Sequence, residues 1–129
     1  MNIEGILVPI VTPFTADNQV DTTLLAELVD AFIAKGVRGI VACGTTGEYY
    51  ALSEAERETV LTTIVKAAAG RCTLIAGVSD MSSEVAAQRA ARAKELGYDG
   101  LMLSAPPYIL PSQQGIIEHF EYVASKTDL

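Results

Sequence analysis

Residues 40–78 read IVACGTTGEYYALSEAERETVLTTIVKAAAGRCTLIAGV and contain one complete strand-to-strand repeat. Short apolar runs stand at both ends, at residues 40–43 (IVAC) and 74–78 (LIAGV). Neither run alternates apolar with polar residues, which is typical of a strand covered on both faces in a parallel sheet. Between the runs, apolar residues recur with a helical period, at Val60, Leu61, Ile64, Val65 and Ala68. This stretch therefore predicts a strand, a helix and a second, parallel strand.

The same unit recurs along the whole chain. Apolar runs also lie at residues 6–11 and 101–103, and a helical pattern follows each of the four runs. The runs begin about 30 residues apart, the length of one strand–helix unit. Ser53 and Glu56 have the spacing of a capping box at a helix start. We therefore predict an α/β fold of (βα)4 type, a single domain formed by residues 1–129.

Four parallel strands leave a sheet with two open edges, because a closed parallel barrel needs eight strands and about 250 residues. One solution is half of a TIM barrel that self-association completes, with the fourth strand of each copy beside the first strand of the other. The alternative is an open, doubly wound, flavodoxin-like sheet with helices on both faces. Pro9 donates no backbone hydrogen bond, which suits an edge strand or an irregular barrel strand. We expect self-association as a homodimer or a higher oligomer.

The composition excludes several classes of partner. The chain has 16 Asp and Glu against 9 Lys and Arg, a net charge of −7, and nucleic acid requires a basic surface. No apolar run approaches the roughly 18 residues that span a membrane, and the N-terminus lacks the basic region of a signal peptide. Two cysteines without a secretory signal predict reduced thiols and a cytoplasmic location. We find no metal-ligand spacing of His, Cys and carboxylates, and we expect no cofactor.

Ligand chemistry in βα repeats lies where strands end and helices begin. Gly44 and Gly47 flank two threonines directly after the second apolar run. Glycine permits close backbone approach, so consecutive N–H groups can converge on an anion, and threonine hydroxyls add donors. This segment predicts either a carboxylate or phosphate site or a structural tight turn. Tyr108 follows two prolines after the fourth run; its hydroxyl can pass protons, or its ring packs on a neighbouring helix or subunit.

An ordered set of motifs resembles one enzyme family. The motifs are VTPF at 11–14, GTTGE at 44–48 with LS at 52–53 and ER at 56–57, IAG at 75–77, and PPY at 106–108 with PSQ at 111–113 and Gly115. In this order they resemble the dihydrodipicolinate synthase / N-acetylneuraminate lyase family of class I aldolases. The resemblance covers essentially the whole chain and the N-terminal half of the family's barrel. It implies a lyase that acts on pyruvate or another 2-keto acid.

The resemblance also implies roles for particular residues. Family members form a Schiff base between a lysine of the sixth strand and the keto group, and the double-threonine loop holds the carboxylate. Thr45, Thr46 and Gly47 would then bind the substrate, and Thr45 and Tyr108 would belong to a proton relay. Tyr108 would reach a neighbouring subunit's site, although the residue after it is not the family's usual aromatic or Asn.

The family's Schiff-base lysine would lie beyond residue 129. The lysines that are present fall late in predicted helices or near the chain's end: Lys35, Lys66, Lys94 and Lys126. A Schiff-base lysine must be desolvated at the strand-end face of the sheet. We therefore expect this chain alone to be non-catalytic or vestigial, with a retained carboxylate site. The alternatives are one part of an active lyase completed by a C-terminal half, and a purely structural self-assembling module.

Overall fold

The computed structural model describes residues 3–129 and alternates four strands with four helices. The elements are β1 (Leu7–Pro9), α1 (Thr22–Ala34), β2 (Gly39–Ala42), α2 (Glu54–Ala68), β3 (Thr73–Gly77), α3 (Ser83–Leu96), β4 (Gly100–Met102) and α4 (Gln113–Ala124). A short 3-10 turn, Thr45–Gly47, follows β2. The (βα)4 architecture predicted from the repeat is confirmed.

The order of the strands decides between the two predicted sheets. Neighbouring strands are parallel, and the order β1-β2-β3-β4 follows the chain without a reversal. A doubly wound sheet requires a switch point at which the order reverses. The flavodoxin-like alternative is therefore wrong, and the fold is an open half of a TIM barrel. Its outer strands, β1 and β4, each keep one unpaired edge.

The two faces of the sheet have different surroundings. Side chains alternate along a strand, so Ile40 and Leu74 point to one face while Val41 and Ile75 point to the other. Ile40 and Leu74 belong to a buried cluster with the apolar stripes of the helices. Val41 and Ile75 are also buried but lie outside that cluster. Helices therefore cover the outer face, and Val41 and Ile75 belong to the concave inner face.

Strand boundaries differ from the apolar runs by one or more residues. The last three strands begin one residue before the runs, at Gly39, Thr73 and Gly100, because backbone pairing rather than polarity sets a strand's start. Gly39, for example, pairs with both Leu7 and Thr73. Strand β2 ends before Cys43, whose φ of 50° is left-handed and interrupts the extended chain.

Side-chain caps fix where the helices start. The predicted capping box is confirmed: the Ser53 hydroxyl accepts from the Glu56 N–H, and the Glu56 carboxylate accepts from the Ser53 N–H at 2.8 Å. Asp21, Ser82 and Ser112 cap the other three helices. These starts lie at the carboxyl edge of the sheet, so the caps also order the loops at that edge. Over residues 3–129, no helix has the length and apolarity to cross a membrane.

Candidate functional site

The Gly-Thr turn, residues 44–48, begins where β2 ends. Gly44 is extended, with φ −84° and ψ −172°, and one 3-10 turn follows it. The Gly47 N–H donates to the Gly44 carbonyl, and the Glu48 N–H donates to the Thr45 carbonyl, both at 3.0 Å. Glu48 ends the turn in the left-handed region, with φ 57°. These bonds make the segment a compact turn rather than an extended loop.

Thr45 and Thr46 stand at the start of this turn and are exposed. The first N–H groups of a helical turn have no partner within it, and the turn's own bonds begin with the N–H of Gly47. Two backbone N–H groups and two hydroxyls are thus gathered on adjacent residues at the carboxyl edge of the sheet. This donor set suits an anion with two oxygens, such as a carboxylate.

The segment directly after β1 supports the turn on one side. The Thr12 hydroxyl donates to the Gly47 carbonyl at 2.8 Å, and this bond is buried. A Cβ atom on Gly47 would lie 3.0 Å from the Ile10 carbonyl oxygen, so glycine permits the close approach. The Ile10 N–H in turn donates to the Val41 carbonyl at 3.1 Å. The turn therefore packs directly against the segments that follow β1 and β2.

Strand β3 supports the turn from the other side. A Cβ atom on Gly77 would lie 2.1 Å from the Cys43 carbonyl oxygen, so only glycine fits there. Arg57 Nη1 donates to the Gly77 carbonyl at 2.7 Å, and the Arg57 residue is only 3% exposed. Burial lowers the pKa of Arg57 and raises the pKa of the Cys43 thiol to about 11. The Cys43 thiol is therefore protonated near pH 7.

A second arginine ties together the loops beside the turn. Arg89, from α3, donates through Nη1 to the Ser79 carbonyl at 2.7 Å and pairs with Asp80 at 3.0 Å. It also pairs with Glu54 at the start of α2. Arg89 is thus already paired with two carboxylates, whereas Arg57 bonds a backbone carbonyl at the end of β3.

Tyr108 lies apart from this cluster. Its side chain is 92% exposed and its φ is 72°, so the predicted packing on a neighbouring helix is absent from the described chain. The preceding Pro107 lines a cavity of about 160 Å³ together with Tyr49 and Tyr50, which follow the turn. The structure therefore brings Thr45, Thr46 and Gly47 together but leaves the Tyr108 ring in solvent.

All four lysines lie within the described residues and at the opposite end of the molecule. Lys35 caps the end of α1, and Lys66 and Lys94 occupy the last turns of α2 and α3. Lys126 follows α4, with its ammonium 5.1 Å from the centre of the Tyr122 ring. Helix α2 has 15 residues and is therefore about 22 Å long, which separates its C-terminal end from the edge that carries the turn.

The histidine and the two cysteines form no cluster with the turn's threonines. His119 is buried on α4, and its Nδ1 lies 2.8 Å from the Ser83 hydroxyl. Cys43 and Cys72 are free thiols. Within residues 3–129, no three His, Cys, Asp or Glu side chains come together as a metal could require.

Sequence reasoning left Thr12, Arg57, Gly77 and Arg89 without roles. For two of them, Gly77 and Arg57, the sequence contains a pattern that indicates a structural role. A glycine inside a strand marks close backbone approach, which Gly77 fulfils. Arg57 falls on the same helical face as Val60, Leu61 and Ile64, so its position predicts burial although its charge predicts exposure. The partners of Thr12 and Arg89 follow only from the tertiary structure.

Comparison with known proteins identifies the family. The model of the dihydrodipicolinate synthetase family matches residues 2–129. The chain belongs to this family. The 4-hydroxy-tetrahydrodipicolinate synthase 1 of Halalkalibacterium halodurans is 37% identical over 129 residues, which are 100% of this chain and 44% of that protein.

Solved structures of the dihydrodipicolinate synthetase family have the same fold over this region. The dihydrodipicolinate synthase of Aquifex aeolicus matches 98% of this chain and 43% of its own, with 38% identity and a TM-score of 0.95. The synthase of Acinetobacter baumannii, solved in complex with pyruvate, matches 99% of this chain and 44% of its own, with 38% identity and a TM-score of 0.96. The chain thus spans less than half the length of these relatives and corresponds to the N-terminal half of their barrel.

Proposed function

We propose that this chain is the carboxylate-binding half of a Schiff-base lyase and holds pyruvate or another 2-keto acid by its carboxylate. One observation carries the proposal: adjacent threonines, Thr45 and Thr46, present donors at the carboxyl edge of a (βα)4 sheet. Hydrogen bonds to a charged group are stronger than neutral ones, and Arg57, which bonds the Gly77 carbonyl beside the turn, adds positive charge nearby. The pyruvate complex of the related Acinetobacter baumannii synthase supports this choice of ligand.

Catalysis by this chain requires an amine at that edge, and the side chains of residues 3–129 place none there. An imine-forming lysine must lie desolvated beside the bound keto group. The four lysines of this chain lie at the helix C-termini instead. We propose that the chain alone binds a keto acid without imine chemistry. Thr45 and Tyr108 would then join a proton relay only in a completed assembly, with Tyr108 reaching a neighbouring subunit.

Calorimetric titration with pyruvate tests the binding site. Thr45→Val and Thr46→Val each remove a hydroxyl and should weaken binding about tenfold or more, since a hydrogen bond to a charged group contributes about 1.5–3 kcal/mol. Thr59→Val is the matched control, because the Thr59 hydroxyl bonds within α2, to the Ala55 carbonyl. Acetone, which lacks the carboxylate, should give no heat. No heat with pyruvate in low salt would favour a purely structural module.

Borohydride trapping tests the absence of imine chemistry. Borohydride reduces a lysine imine to a stable amine, so mass spectrometry would detect any pyruvate adduct. We expect none on this chain at concentrations at which calorimetry detects binding. A stable adduct on Lys35, Lys66, Lys94 or Lys126 would overturn the proposal that the chain alone is inactive.

The inner face of the sheet favours self-association. Besides three glycines, six residues alternate toward this face: Leu7, Pro9, Val41, Thr73, Ile75 and Met102. A closed eight-stranded parallel barrel is filled by about three layers of four side chains. A second copy of this chain would supply the other six. We propose a homodimer, or a higher oligomer built from it, in which β4 of each copy lies beside β1 of the other.

A complementary C-terminal half is the second candidate partner. The relatives are more than twice as long as this chain, so their own polypeptides supply the rest of the barrel. Such a half would also bring the lysine. Mixing the two halves and assaying pyruvate-dependent aldol chemistry tests this candidate: a folded complex without activity would remove it.

Both cysteines are free thiols, which is typical of proteins in a reducing compartment, and we propose a cytoplasmic location.

A further inference from the structure

A buried hydroxyl fixes one peptide group of the Gly-Thr turn from outside the turn. Thr12 is 8% exposed, and its hydroxyl donates to the Gly47 carbonyl at 2.8 Å across 35 residues of sequence. The same peptide group contains the N–H of Glu48, which donates to the Thr45 carbonyl at 3.0 Å. The peptide between Gly47 and Glu48 is therefore held at both its oxygen and its nitrogen.

The second bond continues into the candidate carboxylate site. The Thr45 carbonyl and the Thr46 N–H belong to one planar peptide group, in which C=O and N–H point in opposite directions. Because the Glu48 N–H holds the Thr45 carbonyl inward, the Thr46 N–H is directed away from the turn. Hydrogen bonds in series also polarise one another. The Thr12 hydroxyl thus begins a chain of two bonds that ends at a donor of the site.

We propose that Thr12 is a positioning residue for the carboxylate site. Its hydroxyl orients the N–H of Thr46 through two peptide groups, Gly47–Glu48 and Thr45–Thr46, which are hydrogen-bonded to each other. This inference rests on the proposed function, in which Thr45 and Thr46 bind the carboxylate. Thr12 does not touch the ligand in this arrangement. Its role differs from simple packing, since the methyl group alone would fill space without holding the Gly47 carbonyl.

The test compares two substitutions at one position. Thr12→Val keeps the size of the side chain and removes the hydroxyl, whereas Thr12→Ser keeps the hydroxyl and removes the methyl group. Two properties are measured in each folded variant: the dissociation constant for pyruvate, and the amide proton and nitrogen shifts of Thr46 and Glu48 by NMR. Thr62→Val is the matched control, because the Thr62 hydroxyl also bonds a backbone carbonyl, that of Glu58, within α2.

Thr12→Val should weaken pyruvate binding about tenfold, the effect of losing about 1.4 kcal/mol, and should move the Thr46 and Glu48 amide signals. Thr12→Ser should restore both properties, and Thr62→Val should change neither. If Thr12→Val does not fold, Thr12→Cys replaces it, since a thiol of similar size is a weaker donor. Either wild-type affinity or unmoved amide signals in the hydroxyl-free variant would overturn the inference, as would failure of Thr12→Ser to restore either property.

The amide signals separate this inference from the proposed function. If the wild-type chain binds no pyruvate, the carboxylate site is wrong, yet the Thr46 amide signal still reports whether Thr12 orients that N–H. Movement of the signal in Thr12→Val and its return in Thr12→Ser would support the orienting role without any ligand. An unmoved signal would refute that role.

Discussion

Gly77 sets the spacing between two strand ends beneath the Gly-Thr turn. A Cβ atom there would lie 2.1 Å from the Cys43 carbonyl oxygen, which is a backbone atom and cannot rotate away. Gly77→Ala must therefore separate the ends of β2 and β3, and we expect a loss of about 3 kcal/mol in the free energy of unfolding, the upper range for overpacking. Denaturant unfolding followed by circular dichroism measures this loss.

Gly115→Ala is the matched control for that substitution. A Cβ atom at Gly115, in the first turn of α4, would meet its nearest neighbours at 3.4 and 3.5 Å, which is ordinary contact. Alanine is favoured over glycine in a helix by about 0.5–1 kcal/mol, so this variant should be at least as stable as the wild type. Equal stability of Gly77→Ala and the wild type would contradict the close approach of β2 and β3.

The sequence indicates some of the site's residues better than others. Thr45, Thr46 and Gly47 are adjacent, so their proximity requires no tertiary information. Arg57 occupies a helical position that faces the core, but its charge predicts exposure. It can be buried because β3 supplies a carbonyl acceptor, and a local sequence pattern does not reveal this partner. The partner of Thr12 lies 35 residues away, beyond the reach of any local pattern.

At the scale of elements, the capping box makes the start of α2 sensitive to pH. Hydrogen bonds from the Ser53 hydroxyl and backbone N–H lower the pKa of the Glu56 carboxyl below its ordinary value of 4.5. A carboxyl with a lowered pKa in the folded state stabilises the fold above its unfolded pKa, and this stabilisation is lost as pH falls through the folded pKa. The helix start should therefore weaken in acid.

Glu56→Gln tests this dependence. At neutral pH the variant should be less stable than the wild type, because the charged acceptor is lost from the helix N-terminus. As pH falls below 4.5, the two free energies of unfolding should converge, since the wild-type carboxyl also loses its charge. Urea unfolding from pH 7 down to about 3 measures the difference. A difference that does not change with pH would contradict the role of the carboxylate charge.

At the scale of the whole molecule, the sequence predicts the elements but not the order of the strands. A half-barrel and a doubly wound sheet contain the same strand–helix units, with the same apolar runs and helical stripes. The order depends on which strands pair, and a run such as residues 40–43 contains no information about its neighbours. The observed order leaves β1 and β4 as open edges, so these two strands are where a partner chain would pair with the sheet.

Charge opposes that assembly while the inner face favours it. Each copy carries a net charge of −7, so two copies repel one another at low ionic strength. Salt screens charges separated by more than about 8–10 Å near physiological ionic strength. The apolar contribution of the exposed inner-face residues, Pro9 and Met102, is not weakened by this screening. Association should therefore strengthen as salt increases.

Pro9 weakens the open edge of β1. Successive N–H groups of a strand point to opposite edges, and the Ile10 N–H donates to Val41 in β2, so the nitrogen of Pro9 faces the open edge without a hydrogen. Pro9→Ala adds one donor at each of the two seams of the proposed dimer. At about 1 kcal/mol per hydrogen bond, the dimer should become roughly 30-fold tighter.

Sedimentation equilibrium over a range of concentrations measures this change. Pro13→Ala is the control for the general effect of replacing proline, because residue 13 lies after β1 and outside the seam. We expect the dissociation constant to fall in Pro9→Ala and to stay at the wild-type value in Pro13→Ala. Equal constants in the two variants would exclude a seam along β1. A 13.7 kDa species at every concentration would exclude the dimer itself and leave a complementary half as the partner of the open sheet.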